Sequence, residues 1–282
     1  MTSQIKTVLL LALLSGIIIV LGGLMGGRTG VIIFGLAPDE CGCYWYRKNR
    51  LSMYHARELA PEEAPYLHRI VEELARNAGI PKPRVCVVPE EAPNAFATGR
   101  DPQHAVVAVT EGIMRLLSPE ELRGVVAHEV GHIVNRDILI QTVAGVLGSA
   151  IVTLANIFQF TAIFGGNRDG EGGGNPIGAL VLALLVIAAG LIQMAISRSR
   201  EYLADDTGAE LCGQPLALAG ALAKLGAASG RIPMQEGNPS TEQMFIVAPM
   251  FSIDGSMANL FSTHPPLEER IRRLQAMAAA RR

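Results

Sequence analysis

His128-Glu129-Val130-Gly131-His132 is the stretch from which the fold is read. It lies inside a helix whose start is written upstream, in Ser118-Pro119-Glu120-Glu121. Serine suits the N-cap, proline the first helical position, and Glu121 completes a capping box. The helix then runs through both histidines. Four residues are close to one turn, so the two imidazoles stand about 40° apart on one face and can share a cation. Glu129 lies on the same side, where it does not easily ligate with them but can hold a metal-bound water. Gly124, Ala127 and Gly131 make a separate stripe of small residues that lets another helix approach closely. The plainer alternative is a helix carrying two solvated histidines.

A catalytic zinc needs a third protein ligand and an open position. No histidine follows in Ile133 to Ile140, so the continuation HExxHxxGxxH is absent. The other common source is a glutamate from a later helix. Glu201 is the candidate on geometry. His132 lies just before an apolar segment, Ile138 to Phe164, and Glu201 just after a second, Pro176 to Ile196. At about 1.5 Å per residue both stand roughly 8–9 Å from the ends of those segments, on the same side if the pair is antiparallel. Asp205, one turn beyond Glu201, suits the free N–H of a ligating histidine. The competing reading of Glu201 and Asp205 is a solvated acidic face beside Arg198 and Arg200. With zinc in place, its bound water moves towards a neutral pKa. Glu129 takes the proton as that water attacks a peptide carbonyl and passes it to the leaving amine. His264, in Thr263-His264-Pro265-Pro266, is a candidate to stabilise the oxyanion or to orient a ligand. It can equally mark the rigid start of a helix over Leu267 to Met277.

The chain of 282 residues is 49% hydrophobic and only 18% charged, below the ~25% usual for soluble domains. A protein partly dissolved in lipid fits that balance. Val8 to Met25 carries no charge and is long enough to span a bilayer. It reads as an uncleaved anchor, with a signal peptide as the alternative. The apolar run Val31 to Leu36 is broken by Pro38, Asp39 and Glu40, so a second span there is doubtful. Trp45 and Tyr46 suit an interface, and Arg47, Lys48 and Arg50 mark a cytoplasmic side. Ile138–Phe164 and Pro176–Ile196 read as a membrane hairpin. Its glycine-rich linker, 165–175, lies outside because Arg136, Arg198 and Arg200 sit at the other ends. The alternative is two buried helices of a soluble core.

The organisation that follows is α+β and mainly α. An N-terminal membrane hairpin occupies 1–46 and a first catalytic part 47–137. A transmembrane hairpin occupies 138–197 and a second catalytic part 198–282. Leu67, Ile70, Val71 and Leu74 predict a helix over Pro61 to Ala78. Arg84–Val88 and Ala105–Thr110 predict strands, and Asn94 to Thr98 a third, followed by a turn through Gly99-Arg100-Asp101-Pro102. Net charge is −2 with basic residues scattered, which speaks against nucleic acid as a partner. Cys41, Cys43, Cys86 and Cys212 form no CxxC pair and read as free thiols, though Cys41-Gly42-Cys43 can in principle bind metal or close a strained disulfide. The methionine-rich stretch 233–262 packs ordinarily, covers the site or touches lipid. The residues specify no oligomeric state.

His128 to His132 with Asn135-Arg136-Asp137, then Ser197-Arg198-Ser199-Arg200-Glu201-Tyr202-Leu203-Ala204-Asp205, resemble the HtpX heat-shock membrane proteases. These are bacterial relatives of the Ste-type prenyl-protein endopeptidases. Asn94 to Gly99 and Phe261 to Arg270 extend the resemblance over nearly the whole chain. It implies a zincin-like catalytic domain, one Zn2+ on His128, His132 and Glu201, and Glu129 as general base. It further implies a multi-pass protein of the bacterial inner membrane with its catalytic domain in the cytoplasm. Its substrates would be damaged or misassembled membrane proteins. It also implies that Asn94, Ala95, Phe96 and Ala97 form an edge strand that pairs with substrate backbone. The chain departs from the family at Pro38 to Cys43, which interrupts the second span. Two other enzyme-site readings and one of a different class compete. An intramembrane site-two-type protease would place the motif within a span, yet Glu120, Glu121, Arg123, Arg136 and Asp137 flank it. A structural zinc site would leave no open position. A non-catalytic membrane scaffold or chaperone would have no need of Glu129.

Overall fold

The computed structural model of the chain describes residues 5–17, 19–20, 55–99, 101–164, 176–229 and 264–281. The expected second span, Cys41 and Cys43, the 165–175 linker and the 233–262 stretch lie outside them. The chain divides into two compact units, Met1–Asp39 with Gln141–Ile196, and Glu40–Ile140 with Ser197–Arg282.

The first unit is helical. It contains α1 (Ile5–Ile17) and the apolar parts of α5 (Asp137–Phe164) and α6 (Pro176–Cys212). Leu14, Ile151, Ala155 and Ala189 are buried. Gln193 Nε2 donates to the Ala144 carbonyl at 2.8 Å, so α6 is tied to α5 by a polar bond. Elsewhere the apolar side chains point outwards. Val8, Leu9 and Leu13 of α1, Val146 and Ile157 of α5, and Leu180, Leu184 and Ile187 of α6 are exposed. The core helices of a soluble protein would bury them, whereas only 24% of the apolar window of α5 and 33% of that of α6 is buried. Two helices in the described residues are thus long and apolar enough to cross a membrane.

The second unit holds the sheet. Strands β1 (Arg57–Glu58), β2 (Arg84–Val88), β3 (Ala95–Thr98) and β4 (Val106–Thr110) lie in the order β1-β2-β4-β3. β4 runs parallel to β2 and antiparallel to β3, which is an edge among the described residues. Val85, Val87, Ala95, Val107 and Val109 enter the main core, while Cys86, Val88, Phe96, Val106 and Ala108 cluster on the other face. Burial on both faces explains why β2 and β4 read as unbroken β-branched runs. Helix α2 (Pro65–Asn77) buries Leu67, Val71 and Leu74. It starts at Pro65 and not at the expected Pro61. A proline disfavours helical geometry in the residue before it and itself fits the first turn. The short α3 (Glu111–Leu116) follows β4 directly, capped by the Thr110 hydroxyl.

Helix α4 (Pro119–Val134) carries the predicted capping box. The Ser118 side chain accepts from the Glu121 N–H, and the Glu121 carboxylate accepts from the Ser118 N–H at 2.8 Å. Helices α7 (Pro215–Ser229) and α8 (Leu267–Ala280) complete the unit. The small-residue stripe of α4 meets two helices. A Cβ on Gly131 would lie 3.0 Å from the Ala204 carbonyl oxygen of α6, and one on Gly124 would lie 2.7 Å from the Leu218 nitrogen of α7. From the other side, a Cβ on Gly208 of α6 would lie 2.8 Å from the His128 nitrogen. In an isolated helix Gly208→Ala would gain about 1 kcal/mol. Here the methyl group meets backbone, so the substitution is expected to destabilise the unit by about 1–3 kcal/mol. Chemical denaturation of the detergent-solubilised protein checks the sign, and a stabilised variant would refute the close approach.

Candidate metal centre

His128 and His132 come from consecutive turns of α4, and their rings meet edge to face with centroids 4.6 Å apart. Their Nε2 atoms face each other at 3.1 Å. Glu201, on α6, joins them. Its Oε1 lies 3.5 Å from His132 Nε2 and its Oε2 3.8 Å from His128 Nε2. Glu201 is 4% exposed and Asp205 2%, so these carboxylates are not a solvated face. The expected helix over Pro176–Ile196 does not stop there. It continues unbroken to Cys212, so one helix carries both the apolar segment and Glu201.

Charged groups hold the three residues from behind. His128 Nδ1 lies 3.0 Å from Asp205 Oδ1. Arg270, on α8, donates twice to Asp205 at 2.8 Å, and its Nη1 lies 3.1 Å from Glu201 Oε2. His132 Nδ1 lies 2.7 Å from Asp137 Oδ2, and Arg200 pairs with the other oxygen of Asp137. His264, just ahead of α8, is buried with Nδ1 3.4 Å from Glu201 Oε2. Glu129 is buried on the same turn of α4, and the Ala97 N–H of β3 donates to its carboxylate. Asn94, Ala95 and Phe96 are buried, and Phe96 points to the face of the sheet away from the main core.

Each carboxyl group answers to this setting. Burial raises the Glu129 carboxyl, helped by the charge of Glu201 and opposed by His132 and His128. Burial would raise Glu201 too, but His264 and Arg270 hold it well below the ordinary range. Asp205 is likewise kept low against burial by Arg270 and His128. Burial opposes charge on His132, yet the hydrogen bond and charge of Asp137, with Glu201 and Glu129, push its pKa up to about 9.

The residues fit a divalent cation on three counts. Ligand atoms of His128, His132 and Glu201 lie within 4.8 Å of one another. Tetrahedral zinc with ligands at about 2.0–2.1 Å needs ligand atoms ~3.3 Å apart, and the observed separations of 3.1, 3.5 and 3.8 Å bracket that value. Glu129, Asp137, Glu201 and Asp205 are buried, against Arg200 and Arg270 as the buried guanidiniums among the described residues, and the carboxylate charges that favour a proton on His132 would equally favour a cation between the ligand atoms.

Sequence reasoning assigned Asp137, Arg200 and Arg270 no role in the site. Asp137 and Arg200 sit where a membrane boundary also places charges, and Arg270 is one of several arginines on its helix. Only the packing separates them from solvated neighbours.

A helix-borne HExxH pair completed by a glutamate from a second helix, beside the edge strand of a small sheet, defines the zincin class of metallopeptidases. The comparisons agree. The model of peptidase family M48 matches residues 61–278. The chain is 56% identical over 281 residues to a protease HtpX homolog of Persephonella marina, with 97% of each chain covered. It is 54% identical over 279 residues to a protease HtpX homolog of Pyrococcus furiosus, covering 97% of this chain and 96% of the other. Among solved structures, S. mikatae Ste24p matches with a TM-score of 0.50 at 21% identity, over 82% of this chain and 57% of that one. At that identity the likeness concerns the fold. The chain therefore belongs to peptidase family M48, a metalloprotease family, as an HtpX-type member.

The Arg270 contacts predict a specific cost. Arg270→Met strands Glu201 and Asp205 as buried carboxylates and is expected to destabilise the protein by about 3–5 kcal/mol. Denaturant unfolding of the metal-depleted protein checks it.

Proposed function

We propose that this protein is an integral-membrane zinc endopeptidase with one Zn2+ per chain, held by His128, His132 and Glu201. The observation that carries the reading is the convergence of these three groups at zinc-ligand spacing. Bound zinc supplies a Lewis acid that acidifies water and polarises a scissile carbonyl. The chain's own residues supply the rest. Glu129 acts as the general base. Burial raises its pKa, which favours taking a proton that it can return to the leaving amine. The Ala97 N–H holds its carboxylate against β3. Asp205 accepts the Nδ1–H of His128 and leaves Nε2 free to ligate. His264, within 3.4 Å of Glu201, orients that carboxylate.

The substrate lies along β3. Among the described residues β3 is an edge strand, the kind of element to which an extended peptide can add as a further strand, and it borders Glu129. The buried side chains of Asn94, Ala95 and Phe96 make that recognition a backbone matter. The lipid-facing surfaces of α1, α5 and α6 support insertion in the inner membrane, with catalytic parts 47–137 and 198–282 in the cytoplasm and hairpin 138–197 between them. Damaged or misassembled membrane proteins, cut in loops or beside the membrane, are the substrates this placement serves. Arg200, being buried in an ion pair, is no topology signal, and the orientation rests on Arg136 and Arg198.

Glu129→Gln keeps the zinc ligands and removes the base. It is expected to retain wild-type zinc content while kcat falls by about 10²–10⁴-fold. Metal analysis with casein cleavage in detergent tests both halves, and wild-type cleavage by the variant would refute the mechanism. In the same assay Glu201→Ala is expected to lose the metal. Unchanged zinc content would remove Glu201 from the ligand set.

A further inference from the structure

Asp137 and Arg200 are 1% and 2% exposed, and the reading above gives neither a task. We infer that they form a positioning pair for His132, with Arg200 acting through Asp137. Helix α6 thereby holds His132 at both ring nitrogens. Glu201 approaches Nε2 at 3.5 Å, and its chain neighbour Arg200 secures Nδ1 through the Asp137 carboxylate, 2.7 Å away. This inference rests on the zinc reading.

The backbone is bent to make the contact. Helix α4 ends at the Asn135 cap, and Arg136 takes a left-handed conformation with φ 53°. A non-glycine residue adopts that geometry at a cost. The Arg136 side chain is exposed, so its own burial does not offset the cost. What the bend achieves is to start α5 at Asp137 and aim that carboxylate back at His132. The turn is then fastened to α6. Arg200 Nη2 donates to the Asn135 carbonyl at 2.8 Å, and Asn135 Nδ2 donates to Thr207 Oγ1 at 3.1 Å.

A purely structural role explains less. A buried ion pair is often no more stabilising than a well-packed apolar pair. A carboxylate on Nδ1, by contrast, sets the tautomer and ring orientation of a ligating histidine and raises its basicity. Asp137 alone would be an uncompensated buried charge, and Arg200 supplies the compensation. His128 repeats the arrangement with Asp205 and Arg270, so each histidine has its own carboxylate–guanidinium support.

The test uses the full-length protein in detergent, with Asp137→Asn, Arg200→Gln and the double variant. Zinc Kd is measured by competition with a chromophoric chelator. Visible absorption is recorded after cobalt substitution, because ligand geometry moves that spectrum and remote packing does not. Each single variant is expected to weaken zinc binding about 10–100-fold and to shift the cobalt bands. The double variant is expected to cost no more than the worse single one, because the two residues act through one another. A folded Asp137→Asn with wild-type Kd and cobalt spectrum overturns the inference, as does a double variant whose loss is the product of the single losses. If a single variant does not fold, the double variant, with no buried charge left unpaired, decides by the same Kd and spectrum. A wild-type chain that binds no zinc, or a His132→Ala chain that binds it with wild-type Kd, overturns the zinc reading instead.

Discussion

Gly208 of α6 lies so close to the backbone of His128 that a Cβ would sit 2.8 Å from its nitrogen. Gly131 and Ala204 make the matching approach a few residues along. With no side chain between them, α4 and α6 bring a glutamate of one helix within 4 Å of two histidines of the other. A wider crossing would take Glu201 beyond the reach of a shared cation. Small residues at the crossing are thus as much a part of the site as the groups that face the ion.

Close packing alone would leave an unstable cluster of like charges. Glu129, Asp137, Glu201 and Asp205 are all buried, and buried carboxylates cannot stay ionised without partners. Arg270 and Arg200 supply part of the compensation, each from a different direction. Structure and chemistry share these charges. The groups that aim the histidines also set the electrostatic potential between their ring nitrogens. The two stretches of the second unit, 40–140 and 197–282, meet at this cluster, the first contributing His128 and His132 and the second Glu201.

The sheet contributes little area but a decisive edge. Because β4 lies between β2 and β3, β3 is an edge of the sheet among the described residues. That strand sits against α4 through Ala97 and Glu129. In this M48 protease of the HtpX type, Glu129, the His128, His132 and Glu201 cluster and the β3 edge lie in one unit, while the exposed apolar faces of α1, α5 and α6 belong to the other.

The local elements were legible because their signals are local. Ser118 to Glu121 specified the start of α4 through its own hydrogen bonds, and the β-branched runs specified β2 and β4. The HExxH spacing put His128 and His132 on one face, and chain distance from two apolar segments selected Glu201. Asp205 was legible too, one turn beyond Glu201 on the same helix. The glycine stripe announced a close helix contact but not that α6 and α7 would share it. Proline chemistry moved the start of α2 to Pro65, and β1, α3 and α7 carried no pattern strong enough to stand alone. Asp137, Arg200 and Arg270 belong to a different category. A charged side chain becomes a support for a ligand only when folding removes it from water and sets it against one particular partner. Arg270 meets Asp205 across 65 residues and His128 across 142. No spacing along the chain encodes such a meeting, so the sequence by itself determined the candidate ligands and the helix that bears two of them. The tertiary structure alone decided which charges hold those ligands in place.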